Sequence, residues 1–319
     1  MAQTSKPALT SRQKARRSTL KLARQNWELY LFLLIPVAFI IIFNYIPMGG
    51  VVMAFKDFKL RKGIFGSPWA AENGMANFIR FFSNYNFIST LRNTLVLSVY
   101  SLAVNIPTAV LLAVSLNYVR RAAFKKTVQM VSYFPYFIST IVIASMVNML
   151  FNTRTGVLGR LYYALTASNI LADPKMFPHL YVWSGVWQGV GFGAIIYLAA
   201  LSGVDPQLHE AATIDGANVL QRIWHIDLPT IAPMVTIMLI LNMGSILGVG
   251  YEKVLAMQNQ NNLEMAEVIS TYSYKVSLAA SMPDFSYGTA IGLFQSAVGL
   301  ALVLLSNTVA NRLTGNGFW

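Results

Sequence analysis

Apolar residues fill this chain in long stretches, separated by short clusters of charge, glycine and proline. A helix needs about 20 predominantly apolar residues to cross about 30 Å of hydrocarbon. Six segments meet that need, at residues 27–55, 91–118, 127–151, 177–203, 228–250 and 287–313. The pattern predicts an all-α membrane protein with six transmembrane helices in one domain, residues 27–319, behind a basic N-terminal segment, residues 1–26. The first apolar stretch is too long for the core of a secretion signal and no small-x-small cleavage site follows it, so it reads as an uncleaved span.

Composition agrees with the pattern. Hydrophobic residues make up 55% of the 319 and charged residues 11%, whereas a soluble globular protein carries about 25% charged residues. Only lipid can cover runs such as 30–43, 94–116 and 297–305. Cysteine is absent, which removes disulfides, thiolate metal sites and a cysteine nucleophile. His179, His209 and His225 lie far apart at no metal-ligand spacing, so no metal site is expected.

The formal charge of +12 changes the picture only once its position is known. Lys6, Arg12, Lys14, Arg16, Arg17, Lys21 and Arg24 precede the first span, where basic tails fix orientation and touch anionic lipid rather than nucleic acid. Arg120, Arg121, Lys125 and Lys126 crowd the connection between spans two and three. By the positive-inside rule that connection is cytoplasmic, together with both termini and the loop between spans four and five. The outer segments, 56–90, 152–176 and 251–286, hold Lys56, Lys59, Arg61, Lys62, Arg80, Arg154, Arg160, Lys175, Lys253 and Lys275 against seven acidic residues. This mildly basic face suits an acidic solute, of which an oligosaccharide of alginate or uronide type is one example, and equally an acidic partner protein.

Chemistry is limited by what the chain lacks. No GxxxxGK[ST] or GxSxG motif occurs, so the chain has no phosphate cradle for ATP and no nucleophile elbow. It is not expected to be an enzyme or to bind a cofactor. The spans are nearly free of ionisable residues, with Glu28 and Arg92 at span ends and Glu252 just beyond one, which argues against a proton relay. Gly185, Gly189 and Gly193, Gly244 and Gly248, and Gly288 and Gly292 form GxxxG spacings that suit close helix packing, within the chain or between subunits. Polar and aromatic residues inside the spans are candidates for a substrate path: Asn148, Trp183, Trp187, Gln188, Asn242, Ser245 and Gln295. The alternatives are membrane anchoring for the tryptophans and helix–helix hydrogen bonds for the amides.

The most informative segment is residues 205–229, DPQLHEAATIDGANVLQRIWHIDLP. Asp205 and Pro206 are suited to cap and start a helix, Gly216 interrupts it, a short amphipathic stretch follows, and Pro229 marks entry into span five. Glu210, Ala211 and Ala212, then Gly216 after three residues, then Ile226, Leu228 and Pro229 after nine more, resemble the coupling-helix motif of permease subunits in binding-protein-dependent ABC importers. FNYIPMGGVVMAFKDF, LRNTLVLS, IIYLAALSGVDPQLHEAATIDGA and the terminal GNGFW extend the resemblance to carbohydrate-importer permeases associated with complex oligosaccharides. The resemblance implies a second homologous permease subunit, a cytoplasmic ABC ATPase dimer that uses ATP and Mg, and an extracytoplasmic solute-binding protein, in the bacterial cytoplasmic (inner) membrane. It also implies that Glu210, the two alanines and Gly216 form the knob that docks into the ATPase. The competing readings are an ion-coupled secondary transporter and an ABC permease for a solute other than sugar.

Overall fold

The computed structural model describes residues 25–314. The seven basic residues before the first span and the GNGFW end lie outside the described residues.

Among the described residues, five long apolar helices and one bent pair form the bundle. They are α1 (Trp27–Phe55), α2 (Phe87–Tyr118), the pair α3 (Ala122–Phe137) and α4 (Thr140–Leu150), α5 (Phe177–Leu201), α7 (Val219–Met243) and α10 (Phe285–Thr314). The short helix α6 (Pro206–Ile214) stands between α5 and α7. Helices α8 (Tyr251–Met257) and α9 (Ile269–Tyr274) precede α10.

The third predicted span, 127–151, is not one straight helix: α3 and α4 meet at 98°. The cause is local. Pro135 has no amide to donate and its ring crowds the preceding turn, so the chain tightens to a 3-10 turn at Phe134–Phe137 and then opens to extended backbone at Ile138. The fifth span also departs from its predicted limits of 228–250. Its helix begins at Val219, runs through Pro229 without a break and ends at Met243, before Gly244, Gly248 and Gly250. A π turn at Ile223–Asp227 sits just ahead of Pro229, as another at Ile41–Tyr45 sits ahead of Pro47 in α1. The wider turn makes room for the proline ring.

Packing centres on α2 and α5, which run side by side. Ala109 and Ala113 of α2 meet Ala194, Tyr197 and Leu201 of α5, with Ile231 of α7 closing the cluster. Toward the other end, Leu97 and Phe177 pack with Val254 and Met257 of α8 and with Val268. Beyond them the segments 56–90 and 251–286 and the start of α2 tie together: Asn93 Nδ2 donates to the carbonyls of Glu264 and Glu267 at 2.8 and 3.0 Å, and Arg80 pairs with Asp284 at 2.6 Å. The end of the bundle that holds Tyr118 and α6 is therefore opposite the end that holds these segments. Helix α1 stands apart, burying no residue between Trp27 and Met48. It joins the rest at Ala54, which packs on Phe78 and Ala290.

Of the glycines at GxxxG spacing, Gly189 and Gly292 face open space. Close backbone approaches occur between α5 and α3, where a Cβ on Gly191 would collide with the carbonyl of Ser132, and between α10 and the end of α7, where a Cβ on Gly299 would collide with the carbonyl of Gly244.

Candidate functional site

The segment 205–229 folds into the helix–turn–helix that its sequence indicates. Asp205 Oδ1 accepts the amide of Gln207 at 2.9 Å and Pro206 opens α6. Gly216 holds φ at +81°, a left-handed value that glycine adopts without a Cβ penalty. A capping box missed in the sequence then starts α7: Asn218 Oδ1 accepts the Gln221 amide at 2.9 Å, and Gln221 Oε1 accepts the Asn218 amide at 2.8 Å. No residue of α6 is buried. Glu210 lines a shallow depression with His209, Thr213, Ile214 and Arg222, while Ala212, Gly216 and Ile226 line the adjoining one. The second depression combines small residues, Ala212, Gly216 and Ala217, with the polar side chains of Asp215, Gln221, Arg222 and His225. Leu228 and Pro229 lie within α7, directly after its π turn.

A cleft of about 530 Å³ opens between α2, α5 and α7. Its polar groups are Ser98, Ser101 and Asn105 from α2, Tyr181 and Tyr197 from α5, and Asn242 and Ser245 at the end of α7. Asn105 and Asn242 each donate Nδ2 to the carbonyl four residues back, at 2.8 and 2.7 Å. Each therefore keeps its Oδ1 as an acceptor for other donors. Phe192 adds an aromatic wall, stacked face to face on Tyr136 at 3.9 Å between centroids. Such a mixture suits a solute that offers hydroxyls and ring faces.

The structure brings only Asn242 and Ser245 of the seven path candidates into this cleft. Trp183 and Trp187 line a separate, almost wholly apolar groove on the far side of α5, with His179 and Leu180. Trp183 Nε1 donates to Tyr100 Oη at 3.1 Å, and that hydroxyl also meets His179 Nδ1 at 2.9 Å. The three amides bridge to carbonyls where helices stop. Gln188 donates to Ile138 at the α3–α4 break, Asn148 to Ala256 at the end of α8, and Gln295 to Leu247 in the turn after α7. Each supplies a donor to a carbonyl left free by its own helix, which an apolar surrounding would otherwise leave unpaired. Sequence reasoning missed Ser98, Ser101, Asn105 and Tyr197. Small hydroxyls and a lone amide in apolar helices carry little signal until the neighbouring helix is known.

Among the ten basic residues of the outer segments, Lys59, Arg80 and Lys275 pair with Asp57, Asp284 and Glu267. Lys56 and Lys253 are buried instead. Lys253 Nζ donates to the carbonyl of Tyr181 at 2.9 Å and lies 4.9 Å from its ring. Burial pushes its pKa down to about 8. This lysine contacts Tyr181, a lining residue of the cleft, and so places a cation beside the cleft.

Comparison with known proteins identifies the architecture. Residues 105–316 match the family model of the binding-protein-dependent transport system inner membrane component. The polygalacturonan/rhamnogalacturonan transport system permease protein YteP of Bacillus subtilis is 40% identical over 310 residues, covering 97% of this chain and 95% of that protein. The crystal structure of a bacterial ABC transporter involved in the import of the acidic polysaccharide alginate contains a chain 34% identical to this one. It superposes with a TM-score of 0.83, covering 93% of this chain and 99% of that one. The same score and identity hold for the alginate transporter in complex with its alginate pentasaccharide-bound periplasmic protein. With its bundle, its exposed helix–turn–helix and its cleft, the chain belongs to the family of binding-protein-dependent transport system inner membrane components and is a multi-span permease of an ABC importer.

Proposed function

We propose that this chain is one of two related permease subunits in an importer of uronic-acid-containing oligosaccharides. An extracytoplasmic binding protein delivers the solute, and a pair of cytoplasmic ATPase subunits, using ATP and Mg, docks on α6 and drives alternating access. The observation that carries this reading is the pairing of two features on the same spans. A cleft with polar and aromatic walls lies between α2, α5 and α7, and the unburied knob of Glu210, Ala211, Ala212 and Gly216 stands between α5 and α7 at one end. In this reading α6 lies at the cytoplasmic face of the bacterial inner membrane, both termini are cytoplasmic, and exposed apolar side chains such as Phe32 and Leu300 meet lipid. Two relatives named for acidic polysaccharides support the solute class. So does Lys253, a buried cation beside the cleft without a carboxylate partner among the described residues. Asn242, Ser245, Asn105 and Tyr197 are the cleft groups assigned to the sugar hydroxyls, while Glu210 and Gly216 are assigned to the ATPase.

The test is uptake in proteoliposomes containing the assembled transporter. Oligogalacturonide uptake is expected to require ATP and the binding protein, to need no ion gradient, and to exceed uptake of a neutral oligosaccharide of equal length. Uptake driven by an ion gradient without ATP would establish a secondary transporter instead, and equal uptake of the neutral sugar would remove the acidic preference. Glu210→Lys and Gly216→Asp are expected to release the ATPase from the purified complex while the chain still inserts in the membrane.

A further inference from the structure

Asp227 is fully buried within α7, at the end of its π turn and directly before the apolar run that opens with Leu228. Within the motif Ile-x-Leu-Pro it occupies the open position. Its Oδ2 accepts the Tyr118 hydroxyl at 2.7 Å, from the last residue of α2. Its Oδ1 faces His209 Nε2 of α6 at 3.3 Å, and no directed hydrogen bond reaches that oxygen among the described residues. The His209 ring stands edge-on to Tyr118, with centroids 6.3 Å apart. Arg222 completes the cluster, its guanidinium 5.9 Å from the Tyr118 ring and donating to Thr213 Oγ1 of α6 at 2.7 Å.

A buried carboxylate is a poor way to gain stability, because desolvation offsets most of what its partners return. Here one contact is strong and the other is stretched, so fold stability does not explain the residue. Its placement does. Asp227 is the buried residue of the π turn Ile223–Asp227, and such turns are frequent at functional sites. Helix α6 buries none of its own residues. Among the described residues, its side chains reach the bundle through His209 to Asp227 and through Thr213 to Arg222. The two spans gripped by this cluster, α2 and α7, are two of the walls of the cleft, through Ser98 and Asn105 on one and Asn242 on the other.

We infer that Asp227, with Tyr118 and His209, is the joint that carries displacement of α6 into α2 and α7, and that Asp227 is a positioning residue for the transport cycle. This rests on the docking of an ATPase at α6. When the ATPase moves α6, the contact at His209 shifts Asp227, and the bond to Tyr118 obliges the end of α2 to follow. Without the joint, α6 moves against the bundle and hydrolysis no longer reshapes the cleft.

The experiment uses the complete transporter in proteoliposomes, with Tyr118→Phe, Asp227→Asn and the double variant. Three quantities are read: ATPase retained on purification, the unstimulated ATPase rate, and its stimulation by oligogalacturonide-loaded binding protein. Retention and the unstimulated rate are expected to stay as in the wild type. Stimulation is expected to fall about tenfold in each single variant, as for removal of a hydrogen bond to a charged group. The double variant should be no worse than Asp227→Asn alone, since both changes remove one interaction. Full stimulation in Tyr118→Phe, loss of ATPase retention in it, or additive losses in the double variant would each overturn the joint. If Asp227→Asn does not insert, Tyr118→Phe decides, because it deletes only a hydroxyl. A wild-type chain that retains no ATPase sinks the proposed function and this inference together, whereas retention with unchanged stimulation sinks the joint alone.

Discussion

At the scale of single residues, Lys253 is the position where charge and burial conflict most openly. It is 5% exposed and bonded to a backbone carbonyl rather than a carboxylate, and its pKa is pushed from 10.5 to about 8 by burial. Between those two values the unfolded chain holds more protons than the folded one, so stability rises with pH across that window. Below about pH 8 both states are protonated and the full cost of the buried charge remains. The shift corresponds to about 3 kcal/mol at most. Lys253→Met is therefore expected to melt higher than the wild type at pH 7 in detergent, with the gap closing as pH approaches 10.5. A gap that stays constant with pH would mean that the lysine is not buried in its charged form. If the lysine also attracts acidic sugars, the same variant should lose the preference for oligogalacturonide, which would explain why a destabilising residue stands there. Nothing in the sequence separates Lys253 from the other nine basic residues of the outer segments. Its burial depends on the turn after α7 bringing α8 against Tyr181, which is a tertiary contact.

Among helices, five of the six expected spans are single long helices among the described residues and the third is a pair bent by 98°, so hydropathy loses accuracy where chain geometry is set by packing or proline. Spans at 27–55 and near 177–203 and 287–313 fall where hydropathy puts them, because the lipid requirement acts on each helix separately. The bend between α3 and α4 depends on Pro135 together with the bridge from Gln188 to Ile138, and only the proline is visible in advance. Glycine spacing misleads for a similar reason. A GxxxG pair gives two glycines on one face but not which helix meets that face. The close approach between α7 and α10 uses Gly244 and Gly299, which are far apart in sequence. Gly299→Ala is expected to push these helices apart and lower the melting temperature of the detergent-solubilised protein. Gly292→Ala on the same helix meets open space and should leave it unchanged or raise it, by up to about 1 kcal/mol of helix propensity. Equal effects from the two changes would show that α7 and α10 do not cross at Gly244.

For the whole molecule, the arrangement of ends decides how solute and energy meet. Tyr118 of α2, the knob on α6 and the start of α7 gather at one end. The segments around Asn93, Arg80 and Asp284 gather at the other. The connection bearing Arg120, Arg121, Lys125 and Lys126 directly follows Tyr118, so the basic cluster and the knob share a side whichever way the protein sits. In the proposed orientation that side is cytoplasmic, as the positive-inside rule expects, and a partner docked on α6 would have access to ATP. Because the chain has no cysteine, orientation can be read with single introduced thiols. Leu60 is 84% exposed at the far end, and Ala123 is exposed at the start of α3. A membrane-impermeant maleimide applied to intact cells of a Gram-negative host with a permeabilised outer membrane is expected to label Leu60→Cys and to miss Ala123→Cys until the inner membrane is opened. The reverse pattern would place α6 outside, away from ATP. In that case no ATPase could dock on Glu210 and Gly216, and the cleft would have to be driven by a gradient.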